Sequence, residues 1–180
     1  FSPQSTGKPL YPLTMIIGFP RPIQLRRLLR DMAGLGTKKI ILCGSDLTEK
    51  SYLNSNVVHD GSAYKMLLDG TAQAAGTHVP NLVVAQSLDE ALAQNDFELS
   101  SKIALDNISP QCSLHEHLLH EGSKSTVAAI GSERGWTNRE RTLLKNCGFT
   151  LCSMGNRILR TETAATVAAS LILDSMGVLN

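Results

Sequence analysis

The stretch Met154-Gly155-Asn156-Arg157-Ile158-Leu159-Arg160-Thr161-Glu162-Thr163-Ala164 joins a glycine turn to the start of a long, alanine-rich helical pattern. Thr161 can cap that helix, and Glu162 suits the positive end of the helix dipole. A capped helix is therefore one interpretation of residues 154–164. It does not explain why Arg157 and Arg160 stand beside a glycine turn, where backbone can approach a ligand closely. A binding site is the alternative interpretation, and the chemistry of these residues alone leaves both open.

A second loop of similar chemistry lies upstream, Ile130-Gly131-Ser132-Glu133-Arg134-Gly135-Trp136, directly after an apolar run. Ligands of open α/β sheets bind outside the carboxyl ends of strands, so both loops are candidate sites. Neither loop has the glycine spacing of a dinucleotide-binding or P-loop motif, which argues against a dinucleotide or nucleoside triphosphate enzyme. Trp136 has two interpretations: packing against the helix that follows, which we favour, and stacking on a base.

Apolar runs alternate with helical patterns along the chain, which predicts an α/β fold with a mostly parallel sheet and helices on both faces. The predicted strands are residues 13–18, 39–43, 81–85, 101–105, 126–130 and 149–152. The predicted helices are residues 23–35 and 62–75, a short one from Ser87, a helical turn at 113–120, a capped helix at 137–148, and a long helix at 161–176. Residues 1–12 contain three prolines and are predicted to be an irregular lead-in or linker remnant, with one domain over residues 13–180.

The composition is that of one ordinary domain. The 180 residues are 42% hydrophobic but only 4% aromatic, so the predicted core is aliphatic. We predict a cytoplasmic protein, because no apolar stretch approaches the roughly 20 residues that cross a bilayer and no signal peptide is recognised. The four cysteines form no C-x-x-C pair and have no histidine at zinc-ligand spacing, which predicts free thiols and no metal. His59, His115, His117 and His120 are predicted to be surface residues for the same reason.

Charge is distributed unevenly along the chain. Residues 1–50 carry eight Lys or Arg against three Asp or Glu, and residues 131–160 carry six against two, with an acidic segment between them. If the two basic segments meet in space, they form a patch that attracts phosphate groups. Charge blocks alone favour the other interpretation, a mixed solvated surface.

Three segments together resemble one known family. They are Ile130-Gly131-Ser132-Glu133-Arg134-Gly135-Trp136-Thr137, Leu144-Lys145-Asn146-Cys147-Gly148-Phe149, and the stretch at residues 154–164. They resemble the RsmE family of 16S rRNA uridine-N3 methyltransferases, which belongs to the SPOUT superfamily. The resemblance is strongest over residues 126–176 and weaker at residues 24–38 and 73–80. It implies a SPOUT-type fold with a deep C-terminal trefoil knot, S-adenosyl-L-methionine as cofactor, ribosomal RNA as substrate, and a homodimer.

The resemblance also implies roles for individual residues. The cofactor contacts would be Leu105, Ile130, Gly131, Glu133, Gly135, Met154, Gly155, Arg157, Ile158, Leu159 and Thr163. The contacts to substrate RNA would be Arg134, Arg157 and Arg160. Uridine N3 must lose a proton before it attacks the methyl group, so Arg160 is assigned to the developing charge and Glu162 to orienting that arginine or accepting the proton. The long helix at residues 161–176 would pack partly on a partner subunit, although its broad apolar face leaves burial within its own subunit as the alternative.

The sequence departs from the family at three points. These departures bear on the choice of substrate more than on the binding of the cofactor. Ser132 and Arg134 stand where the family has proline and glycine, and His78 stands where it has arginine. The family's N-terminal PUA-like barrel, which helps to hold RNA, has no counterpart in these 180 residues. Two alternatives therefore stay open: a SPOUT methyltransferase with another RNA target, and a non-catalytic RNA-binding or scaffold relative.

Overall fold

Strands and helices alternate along the chain, as the sequence pattern predicts. The computed structural model describes residues 7–53, 60–93, 97, 100–120 and 125–179. The strands are β1 (Tyr11–Gly18), β2 (Thr37–Cys43), β3 (Asn81–Ala85), β4 (Ser101–Leu105), β5 (Cys112–Ser113), β6 (Thr126–Ile130) and β7 (Thr150–Ser153). The helices are α1 (Pro22–Gly34), α2 (Lys50–Leu53), α3 (Ser62–Gln73), α4 (Leu88–Ala93), α5 (Leu114–His120), α6 (Asn138–Asn146) and α7 (Thr161–Ser175).

The seven strands form one sheet in the order β3-β2-β1-β6-β4-β7-β5. Every strand pair is parallel, so the predicted α/β class with a mostly parallel sheet is confirmed. The interior strand β1 pairs with β2 and β6: Met15 lies opposite Ile40 on one side and Ala128 on the other. Because all strands run the same way, their carboxyl ends lie along one edge of the sheet.

Both faces of the sheet are covered, which explains why the strands are almost continuously apolar. One core lies under α1, α3 and α7, with Leu28, Leu67 and Ala168 among its buried residues. The other lies under α4 and α6, with Leu88 and Leu144 buried. The alanines of α7 have small side chains, and this lets the helix lie close to β1 and β6.

The first strand and two short elements differ from the prediction. β1 begins at Tyr11 rather than at residue 13, because the Tyr11 amide donates to the Gly36 carbonyl at 2.8 Å. Pro12 is tolerated inside this strand at an irregularity between Tyr11 and Thr14, where an amide is not needed. The sequence pattern did not indicate α2 or the two-residue β5, which are too short to show periodicity. Among the described helices, none has the length and apolar character needed to cross a membrane.

The connection from β4 to β5 passes over β7, which lies between those two strands. Two backbone hydrogen bonds hold it there: the Asp106 amide donates to the Cys152 carbonyl at 2.9 Å, and the Gln111 amide donates to the Leu151 carbonyl at 2.7 Å. The loops that follow β4, β6 and β7 therefore meet at one place on the carboxyl edge of the sheet.

Candidate active site

A cavity of about 320 Å³ lies where the loops after β4, β6 and β7 meet. It is the place that the strand-end argument predicts for a ligand. Ten of the eleven residues predicted to contact a cofactor line it: Leu105, Ile130, Gly131, Glu133, Gly135, Met154, Gly155, Arg157, Ile158 and Leu159. Arg134, predicted to contact RNA, lines it as well. Three separate stretches of sequence thus contribute to one concave surface.

The start of α7 borders this cavity. Thr161 and Ala164 line it, because residues three apart share one face of a helix. Thr163 lies on another face and is exposed, so it is not part of the lining. Neither Arg160 nor Glu162 lines the cavity: Arg160 is exposed at the N-cap position, and Glu162 is buried in the first turn.

The predicted capping role of Thr161 is wrong. Arg160 occupies the N-cap position without a side-chain capping bond, and Thr161 is the first residue of the helix. The Thr161 hydroxyl donates instead to the backbone carbonyl of Gly131 at 3.4 Å. This long hydrogen bond connects the start of α7 to the loop after β6, so it joins the two candidate loops directly.

The loop after β6 is a tight turn whose residues 131–135 line the cavity. The Gly135 amide donates to the Ser132 carbonyl at 2.8 Å, and Gly135 has a φ of 72°, which favours glycine. A Cβ at Gly131 would lie 2.9 Å from the Cα of Gly135, so the turn closes only with glycine there. Ser132, which replaces the family's proline, is buried, and its hydroxyl accepts a hydrogen bond from Ser45 at 3.0 Å.

The same loop brings the two basic segments of the sequence together. Gly18, at the end of β1, packs so closely on the loop that a Cβ there would lie 2.3 Å from the Ser132 amide nitrogen. Three residues later, Arg21 forms an ion pair with Glu133 at 3.1 Å, and Glu133 raises the pKa of that arginine. Arg134, the replacement for a family glycine, is exposed beside them. Basic residues of both segments therefore lie at the cavity rim.

A buried ion pair supports the loop after β4. Arg141 of α6 donates from Nη2 to Asp106 Oδ1 at 2.9 Å and from Nε to both carboxylate oxygens at 3.0 Å. Burial alone would raise the pKa of Asp106, but the hydrogen bonds from Arg141 and Ser109 outweigh it, and the pKa lies below its ordinary value. Asp106 lines the cavity together with Asn107 and Ile108, and none of these three residues was predicted from the sequence. The signal was present, because Asp106 directly follows a predicted strand.

Trp136 has the packing role that we favoured. It is buried among the residues under α4 and α6, and its indole N–H donates to the Leu105 carbonyl at 3.0 Å. The capped helix predicted from residue 137 is also present: Thr137 and Glu140 form a capping box at the start of α6. Glu140 accepts a further hydrogen bond from the Asp46 amide at 2.9 Å. Trp136 and α6 therefore fix the walls of the cavity rather than offering a surface for a base.

The histidines and cysteines are arranged differently from the prediction in one respect. His115 and His120 are exposed, as predicted, and His59 lies outside the described residues. His117 is buried, and the prediction of a surface residue is wrong because α5 turns this side chain inward toward Cys112 and Cys152. The four cysteines all lie in the described part of the chain, and none forms a disulfide, as predicted.

His78, the third departure from the family, lies away from the cavity. Its ring nitrogen Nδ1 is 3.1 Å from the backbone carbonyl of Lys8. It therefore contacts the chain that leads into β1, and it does not contribute to the cavity lining.

A family model for the RNA methyltransferase domain matches residues 6–173. The chain belongs to this RNA methyltransferase family. The resemblance inferred from the three sequence segments is thereby confirmed at the level of the family, and the cavity is the candidate active site of this methyltransferase domain.

Two curated relatives and one solved structure are similar to this methyltransferase domain. The ribosomal RNA small subunit methyltransferase E of Treponema pallidum (strain Nichols) is 43% identical over 168 residues, which are 91% of this chain and 62% of that protein. The ribosomal RNA small subunit methyltransferase E 1 of Borreliella burgdorferi is 37% identical over 167 residues, 91% of this chain and 67% of that protein. The chain thus spans 62% to 67% of the length of these relatives.

The solved structure is that of a ribosomal RNA small subunit methyltransferase E from Neisseria gonorrhoeae bound to S-adenosyl methionine. It superposes with a TM-score of 0.79 at 23% sequence identity and covers 92% of this chain and 66% of that one. The likeness shows that the two proteins share a fold.

Proposed function

We propose that this chain is the catalytic domain of an S-adenosylmethionine-dependent methyltransferase that modifies N3 of a uridine in 16S rRNA. The observation that carries the proposal is the cavity at the carboxyl ends of β4, β6 and β7, in a chain of the RNA methyltransferase family. The names of the similar proteins support a small-subunit ribosomal RNA as the substrate. We also propose that the protein acts in the cytoplasm.

The cavity fits the cofactor in size and in chemistry. Its volume of about 320 Å³ lies within the range of small-molecule sites, and Ile130, Met154 and Leu105 provide apolar lining. Gly131, where a Cβ would lie 2.9 Å from the Gly135 backbone, lets the turn after β6 close, and Gly155 has a φ of 90° with open space where a Cβ would lie. When bound, S-adenosylmethionine supplies a methyl group on a positively charged sulfur. The glycines and apolar side chains would hold its adenosine part and keep water away from it.

The exposed arginines at the rim suit an RNA substrate. Arg134 and Arg157 line the cavity with exposed side chains, and Arg160 is exposed at the N-cap of α7. Guanidinium groups bind phosphate oxygens and carry much of the affinity for RNA. Because N3 lies on the base-pairing edge of uridine, the target base must be unpaired or flipped out to reach the cavity.

Uridine N3 also has to lose its proton, and two residues at the start of α7 are assigned to that task. Arg160 would stabilise the negative charge that develops on the uridine ring. Glu162 is buried in the first turn, where the helix dipole favours a carboxylate, and it would orient Arg160 or accept the proton. Glu162→Gln separates the two roles, because the amide can still accept a hydrogen bond from Arg160 but cannot take up the proton.

We also propose that the protein forms a homodimer through α7 and that its C-terminal segment forms a knot. Val167 and Leu171 of α7 are 37% and 45% exposed, and Ile158, in the loop before that helix, is 83% exposed. Val167 and Leu171 are four residues apart and so share one face of α7, and exposed apolar side chains on one face are typical of a subunit interface. The β4–β5 connection crosses from one side of β7 to the other and is hydrogen-bonded to Leu151 and Cys152 of β7, just before the segment at residues 154–160, and this crossing supports the proposed deep trefoil knot.

Two measurements test the function. Isothermal titration calorimetry should detect binding of S-adenosylmethionine and of S-adenosylhomocysteine, and failure of both to bind would contradict every methyltransferase interpretation. Unmodified 16S rRNA or 30S subunits should then be incubated with the protein and the cofactor and analysed by nucleoside mass spectrometry. N3-methyluridine is the expected product. Another methylated nucleoside would favour a different RNA target, and cofactor binding without methylation of any rRNA would favour the non-catalytic alternative.

A further inference from the structure

A cluster of soft metal-ligating side chains lies beside the cavity, formed by Cys112 of β5, His117 of α5 and Cys152 of β7. Their ligand atoms all lie within 4.8 Å of one another. The two sulfur atoms are 3.7 Å apart, because Cys112 and Cys152 are directly paired on neighbouring parallel strands. Cys152 and His117 are buried, and Cys112 is half-buried.

We propose that Cys112, His117 and Cys152 bind one zinc ion or another thiophilic divalent cation. Two thiolates and an imidazole are a ligand set that zinc prefers. In a tetrahedral site with Zn–S bonds of about 2.3 Å, the two sulfurs lie roughly 3.8 Å apart. The separation of 3.7 Å in this protein therefore accommodates an ion with little movement of β5 or β7.

Charge balance favours an ion at this buried place. Binding of the ion would release the two thiol protons to solvent, and the two thiolates and a divalent cation together carry no net charge, so no uncompensated charge is buried. The imidazole of His117 is held in orientation by Ser101, whose hydroxyl lies 3.1 Å from Nε2. A hydrogen-bonded group that fixes the ring in this way is usual for a histidine that binds a metal.

Access and coordination number are also consistent with an ion. Cys152 lines the cavity, which gives an ion a route from solvent to the cluster. Three protein ligands leave one position of a tetrahedron for water, as in open zinc sites. The sequence did not indicate this site because the ligands come from three elements, and Cys152 lies 40 residues from Cys112.

The site can be tested without any assay of methylation, so its failure and that of the proposed function are distinguishable. The purified, reduced and chelator-treated protein should be titrated anaerobically with Co²⁺ and followed by absorption spectroscopy. We expect one ion per chain, with a sulfur-to-cobalt charge-transfer band in the near ultraviolet and the strong visible bands of a tetrahedral site. Zn²⁺ should then displace the cobalt and raise the thermal unfolding temperature.

Variants show whether the band comes from the cluster. Cys112→Ser and His117→Asn should each weaken Co²⁺ binding by more than the roughly 10–100-fold that is typical of losing a group hydrogen-bonded to a ligand, and Cys112→Ser should also lower the charge-transfer intensity. Cys147→Ser is the matched control: Cys147 is another half-buried thiol, but it lies at the end of α6 outside the cluster, and its variant should bind as the parent does. Cys112 is preferred over the fully buried Cys152, whose substitution risks misfolding.

Three results would overturn the proposal. The first is the absence of a charge-transfer band in the correctly folded, reduced protein. The second is an unchanged titration in Cys112→Ser. The third is formation of a Cys112–Cys152 disulfide in the as-isolated protein, seen by mass spectrometry as the loss of two hydrogens, together with no cobalt binding after reduction.

Discussion

The guanidinium of Arg141 and the carboxylate of Asp106 form a buried, three-contact ion pair that ties α6 to the cavity-lining loop after β4. The two side chains are only 11% and 1% exposed. Such a pair is satisfied as it stands, but removal of either partner leaves a buried charge without compensation. The pair therefore connects the stability of the domain to the shape of its cavity.

Arg141→Met should destabilise the protein strongly, because it leaves the Asp106 carboxylate buried and unpaired. We expect a loss of about 3–5 kcal/mol in the free energy of unfolding, measured by urea denaturation. Arg27→Met is the matched control, because Arg27 is 77% exposed and its ion pair with Asp31 has a distance of 3.7 Å. Substitution of Arg27 should change the free energy of unfolding little. Equal effects of the two substitutions would show that burial of the Arg141 pair is not what matters.

The same pair predicts how stability depends on pH. Asp106 has a pKa below its ordinary value in the folded protein, so its contribution is present above the unfolded pKa of about 4 and is lost as pH falls through the folded pKa. In Arg141→Met, burial is no longer opposed by the arginine, and the pKa of Asp106 rises. The difference in unfolding free energy between the two proteins should therefore narrow as pH falls from about 6 to about 3. If the difference in unfolding free energy stays constant over that pH range, the Asp106 carboxylate is not the group that Arg141 stabilises.

Gly131→Ala should weaken the binding of S-adenosylmethionine. A Cβ at this position would lie 2.9 Å from the Gly135 backbone, so the turn after β6 has to open. We expect at least a tenfold loss of affinity by calorimetry and a destabilisation of about 1–3 kcal/mol. Gly34→Ala is the control. Gly34 lies at the end of α1, and the atom nearest to an added Cβ there is the Gly70 carbonyl oxygen, 3.9 Å away. That variant should bind the cofactor like the parent.

Arg160→Ala should reduce methyl transfer and spare cofactor affinity. Arg160 is exposed at the start of α7 and does not line the cavity, so its loss does not alter the cofactor contacts. The methylation rate at saturating RNA should fall by about 10²–10³-fold if the arginine stabilises developing charge. Arg26→Ala, an exposed arginine of α1, serves as the control. Full activity of Arg160→Ala would remove it from the proposed catalytic residues.

Leu171→Glu should dissociate the proposed homodimer. Leu171 is 45% exposed on α7, and a carboxylate in an apolar subunit interface is costly to desolvate. Light scattering after size exclusion should report a shift from dimer to monomer. Leu119→Glu on α5, whose side chain is 69% exposed, should leave the mass unchanged. A monomeric parent protein, or a Leu171→Glu variant that remains dimeric, would contradict the interface.

The sequence predicted the elements of the fold better than their arrangement. The six longer strands are continuous apolar runs, and such runs are visible without knowledge of neighbours. The order of the strands is not, because β6 lies beside β1 although more than 100 residues separate them. The predicted cap at Thr161 failed for a related reason. The Thr161 hydroxyl donates to the Gly131 carbonyl, which is distant in sequence, instead of capping the helix that begins beside it.

The candidate site was predictable to the extent that each part was local. Both glycine loops follow apolar runs, and the strand-end rule alone assigns such loops to a ligand site. The same rule applies to Asp106 after β4, but its partner Arg141 is 35 residues away and gave no local signal. The cluster of Cys112, His117 and Cys152 exists only because three elements meet, so no spacing pattern in the sequence indicates it.

The position of β7 has a consequence for protein synthesis. β7 is translated after the other six strands of the sheet, yet it lies between β4 and β5, whose facing edges have no partner until residues 150–153 exist. One of the three loops that line the cavity follows β7 and is made later still. A nascent chain that ends before β7 therefore has a gap in its sheet between β4 and β5, and its cavity is incomplete. The domain acquires its ligand site only after residues 150–164 have left the ribosomal exit tunnel.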